Sequence, residues 1–329
     1  MTESMHIVIT GGAGFLGSHM TERLLAFGSR VTCFDNLLTS SLDNIQPFLK
    51  QDAYRFHERS STNDFNMLKN ESVDAVLHFA SPASPVDYGA FPIETLQVGS
   101  IGTQQTLELA HQNEARYLLT STSEVYGDPL VHPQTETYFG NVNPVGPRSV
   151  YDEAKRYAEA LTTAYRFTYD LDIRIARVFN TYGPRMRKND GRVVSNFIVQ
   201  ALSGEDITVY GDGTQTRSFS YVDDTIDGLL LFLSNDWNSK DASGPLNIGN
   251  PEEYSINDIA KTILKLTNST SQIRYDPLPV DDPKQRRPDI TKAKKHLDWQ
   301  PQINLEQGLK KTIEYFQSVG IQQEMSLPT

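Results

Sequence analysis

The chain has 329 residues, enough for one large domain carrying a smaller lobe around a sizeable core. Its 30 lysines and arginines against 41 aspartates and glutamates leave a formal charge of −11, which argues against nucleic acid or an anionic membrane as partner and confines any anionic ligand to a local cationic pocket. A single cysteine, Cys33, excludes a disulfide framework and a multi-cysteine metal site; with no secretory leader pattern and no apolar run of bilayer length, a cytoplasmic protein is expected.

Apolar runs of strand length fall at 6–10, 31–35, 54–57, 73–80, 117–121 and 172–178. Between them, segments 15–27, 93–113 and 150–169 carry apolar residues at three- and four-residue spacing, so each helix can lay one face on a sheet. This alternation predicts an α/β fold, a Rossmann-type doubly wound parallel sheet with right-handed crossovers. Past residue 180 the alternation stops, and turn-rich stretches such as Thr181-Tyr-Gly-Pro-Arg185 and Tyr210-Gly-Asp-Gly-Thr214 separate helices. The expected division is a dinucleotide-binding domain at 1–179 and a smaller C-terminal substrate lobe in most of 180–329, with a segment near 220–250 returning to the first domain. No Pro/Ser-rich linker intervenes, so a cleft should lie between the two.

The stretch Thr10-Gly-Gly-Ala-Gly-Phe-Leu-Gly17 follows the first strand and opens the first helix. In that context Gly11 permits a tight turn, Gly14 lets the backbone approach a pyrophosphate, and Gly17 lets helix and strand pack closely. Asp35 ends the second strand, where a carboxylate can accept both ribose hydroxyls of NAD and repel the extra phosphate of NADP. Asn36 and two leucines follow it, with no arginine to welcome that phosphate. NAD is the expected cofactor, held by Gly11, Gly14, Phe15, Leu16, Gly17, Asp35 and Asn36.

Tyr151 and Lys155 stand four residues apart, on one helix face, and form a usable acid–base pair. A phenol is a poor base at neutral pH, and the nearby lysine cation is expected to lower its pKa toward the working range. The loop after the fifth strand reads Ser121-Thr-Ser-Glu-Val-Tyr-Gly127, at the sheet end where ligands of such folds bind. Thr122 or Ser123 can hydrogen-bond the reacting oxygen there, and Glu124 can face the substrate.

These residues, with Ala80-Ser-Pro-Ala-Ser84, Asn143-Pro-Val-Gly-Pro-Arg148, Asn180-Thr-Tyr-Gly-Pro-Arg-Met186, Asn189-Asp-Gly-Arg-Val-Val-Ser-Asn-Phe197, Gln215-Thr-Arg217, Asp281-Asp-Pro283 and Arg286-Arg-Pro-Asp-Ile290, closely resemble the UDP-glucuronate decarboxylases of the extended short-chain dehydrogenase superfamily. The resemblance implies NAD-dependent decarboxylation of a UDP-sugar acid through a 4-keto intermediate, with Ala80 and Ser81 joining the cofactor site. It places Asn180, Arg185, Arg192, Tyr210, Gln215 and Arg286 around the nucleotide diphosphate, and pairs Arg217 with Glu124 at the sugar. Fixed guanidinium forks suit two phosphates on an otherwise acidic protein. A homodimer built on the helices of the first domain is implied as well, and no metal.

Sugar 4,6-dehydratases are similar but carry an Asp-Glu pair where Ser123-Glu124 stands, and a serine is too weak an acid to help expel a hydroxyl. A 4-epimerase shares the oxidation step, and a catalytically silent NAD-binding module would need neither Tyr151 nor Lys155. Two positions depart from the family pattern. Gln97-Val-Gly99 replaces a usual Lys-x-Asn, removing a cation, and Glu58-Arg59 replaces an aspartate that commonly faces the adenine. Cys33 and His78 are expected to be packing residues.

Overall fold

The structure is a computed structural model, and it describes residues 5–237, 244–278 and 285–320. Six strands follow in chain order: β1 (His6–Thr10), β2 (Arg30–Asp35), β3 (Tyr54–Glu58), β4 (Ala75–His78), β5 (Arg116–Thr122) and β6 (Ile173–Val178). Around them lie α1 (Phe15–Ala26), α2 (Pro85–Ala90), α3 (Pro92–Gln97), α4 (Thr103–Gln112) and α5 (Ser149–Tyr169). The second half adds β7 (Thr181–Tyr182), α6 (Val193–Ser203), β8 (Ile207–Tyr210), β9 (Thr216–Ser218), β10 (Ser220–Tyr221), α7 (Val222–Ser234) and β11 (Leu246–Ile248). It closes with β12 (Glu253–Ser255), α8 (Ile256–Thr267), β13 (Ile273–Asp276), β14 (Gln285–Arg286), α9 (Thr291–Leu297) and α10 (Leu305–Ser318).

Seven strands make one parallel sheet in the order β11-β6-β5-β4-β1-β2-β3. Alternation along each strand sends Ile7, Ile9, Leu77 and Leu118 to one buried face, and Val8, Val76, Tyr117 and Leu119 to the other. Both faces are apolar because helices cover both, as parallel sheets require. The strand order reverses between β1 and β4, and there the carboxyl ends splay around a crevice.

The helix expected at 93–113 runs without a break from Pro92 to Gln112 but is widened in the middle. Val98–Gly102 widens into a π turn between α3 and α4. Gly99 and Gly102 account for it, because a Cβ on Gly99 would stand 2.6 Å from that of Ala154, and one on Gly102 would stand 2.7 Å from Ser61 Oγ. The chain therefore runs against α5 at a distance no larger residue allows. Expected strand 73–80 is shorter than its apolar run, closing at His78 as the chain turns into the crevice.

After β6 the chain leaves the sheet, but α7 packs on α1 and β6, tied by the Arg23–Asp227 ion pair, and β11 pairs with β6 at the sheet edge. The remaining small sheets form the second lobe. In one of them β9 lies between β12 and β14, with Arg217 and Arg286 in register.

Candidate active site

One cleft of about 560 Å³ runs from the end of β1 to the second lobe, and all the residues singled out above for cofactor, catalysis and substrate line it. The motif residues 281–283 lie outside the described residues. The cofactor wall is made of backbone. Gly11 has φ +72°, and a Cβ there would sit 2.6 Å from Ala80 N; one on Gly17 would sit 2.1 Å from Gly11 O. Helix α1 starts at Gly14 with no side-chain cap and no acidic residue in its first turn, so its amino-terminal N–H groups are left for an anion. That open cradle, bordered by Phe15, Leu16, Ala80 and Ser81, fits a dinucleotide pyrophosphate.

Asp35 is more committed than expected. Its Oδ2 accepts from Ala13 N at 3.0 Å, and its Oδ1 accepts from Leu37 N at 2.9 Å and Ser40 Oγ at 2.7 Å. A carboxylate has about four acceptor positions, so one remains for a ribose hydroxyl rather than two. Burial raises its pKa against these three donors. Asn36 bonds back to Leu38 N, and Arg59, which donates its backbone N–H to Asp35 O, supplies the cleft-lining arginine that segment 36–38 lacks. Cys33 and His78 are fully buried. Burial pushes the thiol to about 12 and the imidazole down to about 3, and His78 bonds Thr10 Oγ1 at 2.7 Å. Among the described residues no cluster of three or more His, Cys, Asp or Glu is placed to hold a metal, and no helix is long and apolar enough to cross a membrane.

Tyr151 and Lys155 share the sheet-facing side of α5. Lys155 Nζ donates to Thr120 O at 2.9 Å and lies 5.8 Å from the Tyr151 ring centre. The expected lowering of the phenol by Lys155 is not what the geometry gives. Burial pushes Tyr151 up to about 12, and the groups that pull it down are a hydrogen bond from Thr122 and the charge of Arg192. Lys155 donates one of its three N–H groups to the Thr120 carbonyl, and its own burial lowers it to about 8.

The 3-10 turn Ser123–Tyr126 follows β5, with Thr122 Oγ1 accepting from Glu124 N at 3.2 Å. It aims Glu124 across the cleft, where Arg286 donates to Oε1 at 2.5 Å and to Oε2 at 2.9 Å, and Arg148 donates to Oε2 at 2.8 Å. The expected partner, Arg217, is not the one that takes this carboxylate. Arg217 and Arg286 lie side by side on β9 and β14; Arg286 reaches Glu124, while Arg217 donates to Thr216 O at 2.9 Å. Burial would raise Glu124, but the two guanidinium groups outweigh it and hold the carboxyl well below the usual range. Asp152, next to Tyr151, is buried beside this cluster and is raised, first by desolvation and then by Glu124.

The second-lobe wall is cationic and only partly satisfied. Arg192 pairs with Asp190, and Arg185, held at φ +68°, donates to Glu22 on α1 at 2.6 Å. Arg185 Nη1 and Arg286 Nε are buried donors with no acceptor among the described residues, as a phosphate or carboxylate site requires. Asn180 stands between β6 and β7, and Gln215 Nε2 donates to the carbonyl of the exposed Tyr210 at 2.7 Å. Sequence reasoning gave no role to Arg148 or to the Arg187–Asp87 pair that ties the second lobe to α2. Arg148 had a signal: it precedes Tyr151 by three residues, hence by one helical turn.

Comparison with known proteins fits this layout. The family described as GDP-mannose 4,6 dehydratase matches residues 8–312. The chain is 49% identical over 310 residues to UDP-glucuronic acid decarboxylase 1 of Danio rerio, covering 94% of this chain and 72% of that protein. It is 48% identical over 307 residues to UDP-glucuronic acid decarboxylase 5 of Arabidopsis thaliana, covering 93% and 87%. Among solved structures, UDP-glucose 4-epimerase of Thermotoga maritima superposes with a TM-score of 0.87 at 30% identity, over 96% of this chain and 99% of the other. UDP-glucuronic acid 4-epimerase of Bacillus cereus, in complex with UDP-glucuronic acid and NAD, gives 0.86 at 30% identity over 96% and 100%. With near-half identity across the length of both lobes, the chain belongs to the UDP-glucuronate decarboxylase family of extended short-chain dehydrogenases.

Proposed function

We propose that this protein decarboxylates UDP-glucuronate to UDP-xylose, with NAD as a cofactor that is reduced and reoxidised within one turnover. The observation that carries this reading is Glu124, held ionised by Arg286 and Arg148 in the cleft that also holds Tyr151, with Ser123 where a dehydratase needs a proton donor. Gly11, Gly14, Gly17 and the start of α1 would cradle the pyrophosphate, and Asp35 would take a ribose hydroxyl. Arg185, Arg192 and Arg286 would hold the nucleotide diphosphate and the sugar end, with Asn180, Tyr210, Gln215 and Arg217 around them.

Bound NAD supplies an acceptor, and afterwards a donor, for hydride at carbon 4 of the sugar. Tyr151 accepts the proton of the 4-hydroxyl, with Thr122 donating to the phenolic oxygen. The ketone so formed is β to the carboxylate, so the bond between carbons 5 and 6 breaks, carbon dioxide leaves, and the electron pair moves onto oxygen 4. Tyr151 and Ser123 hydrogen-bond that oxygen as its charge develops. Glu124, fixed by its arginines, would face carbon 5, which takes a proton from solvent as the electron pair on oxygen 4 moves back to carbon; carbon 4 is then reduced and Tyr151 returns its proton to oxygen 4.

The test is incubation with UDP-glucuronate and NAD, with products identified by mass spectrometry and NMR. UDP-xylose and carbon dioxide are expected, and a six-carbon 4-epimer overturns the reading. That second reading, 4-epimerisation, is favoured by one observation, the likeness to an epimerase of the same sugar acid.

The cofactor unit in this reading is 1–179 with the segment near 220–250, and the rest of 180–329 is the nucleotide-sugar lobe. A cytoplasmic homodimer completes it. Exposed Ile93, Leu96 and Ile101 on the α3–α4 run and Tyr157 and Phe167 on α5 give an apolar face for the partner copy. A monomer by light scattering would remove the dimer.

A further inference from the structure

Behind Tyr151 and Lys155 lies a half-buried ionic group that none of the steps above uses. Ser121 on β5 and Arg177 on β6 are register partners, so both side chains point to the side covered by α5. They meet there on Glu159, one helical turn beyond Lys155. Ser121 Oγ donates to Glu159 Oε1 at 2.5 Å, Arg177 Nε donates to the same oxygen at 2.9 Å, and Arg177 Nη2 donates to Oε2 at 2.8 Å. Arg177 Nη1 reaches Tyr126 OH at 3.0 Å, and Tyr126 in turn bonds Asn247 Oδ1 at 2.8 Å, so the group spans α5, the catalytic turn and β11. Lys155 itself faces the Tyr151 ring on α5, the Thr120 carbonyl on β5 and neutral His78 on β4, and the Glu159 carboxylate acts on it through space from one turn along α5, without an ion-pair contact.

We propose that Glu159 is a positioning residue for the proton-transfer pair: its carboxylate anchors the carboxyl end of β5 and supplies the counter-charge one turn from the Lys155 ammonium. A buried ammonium with no compensating charge sheds its proton. Desolvation lowers Lys155 to about 8, and Glu159 is the charge that opposes it. This rests on the proton transfer assigned above to Tyr151, with Lys155 as its neighbour on the same helix face.

The test is Glu159→Gln in the full chain, with Lys155 followed by its 13Cε shift against pH in lysine-labelled protein, assigned with Lys155→Arg. The titration midpoint should fall by about one pH unit, a tenfold lower ratio of charged to neutral lysine at fixed pH, and the basic limb of kcat should fall with it. Glu159→Asp should restore both. If the Gln variant does not fold because Arg177 is left without its counter-charge, Glu159→Gln/Arg177→Gln removes both charges and should show a fall in the same direction, smaller because a cation has gone as well. An unmoved midpoint in whichever variant folds overturns the proposal. The NMR readout needs neither cofactor nor sugar, so a wild-type chain that releases no carbon dioxide refutes the decarboxylase reading without touching this one.

Discussion

The two walls of the cleft are built by opposite means. The β1–α1 wall uses backbone and the absence of side chains: three glycines, an uncapped helix start, and one carboxylate that the loop itself already occupies. The second-lobe wall uses long charged side chains, three of them tethered to a carboxylate contributed from elsewhere: Arg286 to Glu124, Arg187 to Asp87, Arg185 to Glu22. A wall of backbone can be neither repelled nor titrated, and it selects by close approach. One of guanidinium groups selects by charge and needs counter-ions to persist without ligand, since an uncompensated buried charge is costly.

Tyr151 belongs to neither wall, and removing its hydroxyl is the largest break available. Tyr151→Phe should lower kcat by about 10²–10⁴-fold while leaving NAD affinity nearly unchanged by fluorescence titration. Wild-type turnover in that variant would remove the phenol from the chemistry. Next in size is Arg286→Ala, which leaves Glu124 with Arg148 as its remaining clamp. A loss of about 3 kcal/mol in urea unfolding is expected, the low end for a broken buried pair. The pH dependence follows from Glu124 being depressed in the folded chain. Its stabilisation is present above the unfolded carboxyl pKa and fades as pH falls through the lower folded value. Wild type and variant should therefore converge in stability in acid; a difference that holds constant to pH 2 would mean the pair does not carry it.

The backbone wall should break differently. Gly17→Ala places a methyl 2.1 Å from Gly11 O, and no rotamer can relieve a Cβ. About 1–3 kcal/mol of overpacking strain is expected, together with a matching loss of NAD affinity and little change in UDP affinity by calorimetry. Equal losses for both ligands would show that the walls are not separate.

The same contrast explains what could be read from the sequence. The backbone wall is local: glycines at 11, 14 and 17 and the acid at 35 lie within one strand–helix–strand unit, and periodicity placed that unit. Tyr151 and Lys155 were visible because one helix sets their spacing. The choice between Arg217 and Arg286 as partner of Glu124 was not, since Arg286 lies 162 residues from it and the outcome turns on which of two in-register neighbours reaches farther. The Tyr151 pKa failed for a related reason. Spacing places a lysine on the same face but does not say that the ammonium turns away to the Thr120 carbonyl. The π turn at Val98–Gly102 likewise answers to Ala154 and Ser61, contacts that no helical period contains.

Gln97 tests the contrast from its weak side, because it lies on α3 yet faces the cleft, at the position where the family resemblance implies a lysine. If charge on the second-lobe wall suffices for an acidic sugar, adding a cation here should matter little. Gln97 is exposed, so an ion pair made by a lysine is worth about 0.2–1 kcal/mol and is screened by salt. Glu94, one turn earlier on the same helix and also lining the cleft, would compete for that ammonium. Gln97→Lys should therefore lower KM for UDP-glucuronate by about fivefold at most, with kcat unchanged and the gain lost in 0.5 M salt. A larger, salt-resistant gain would mean that the substrate carboxylate lies against α3 in a desolvated site, and the division of labour between backbone and charge would then have to be redrawn along the helix instead of along the domain boundary.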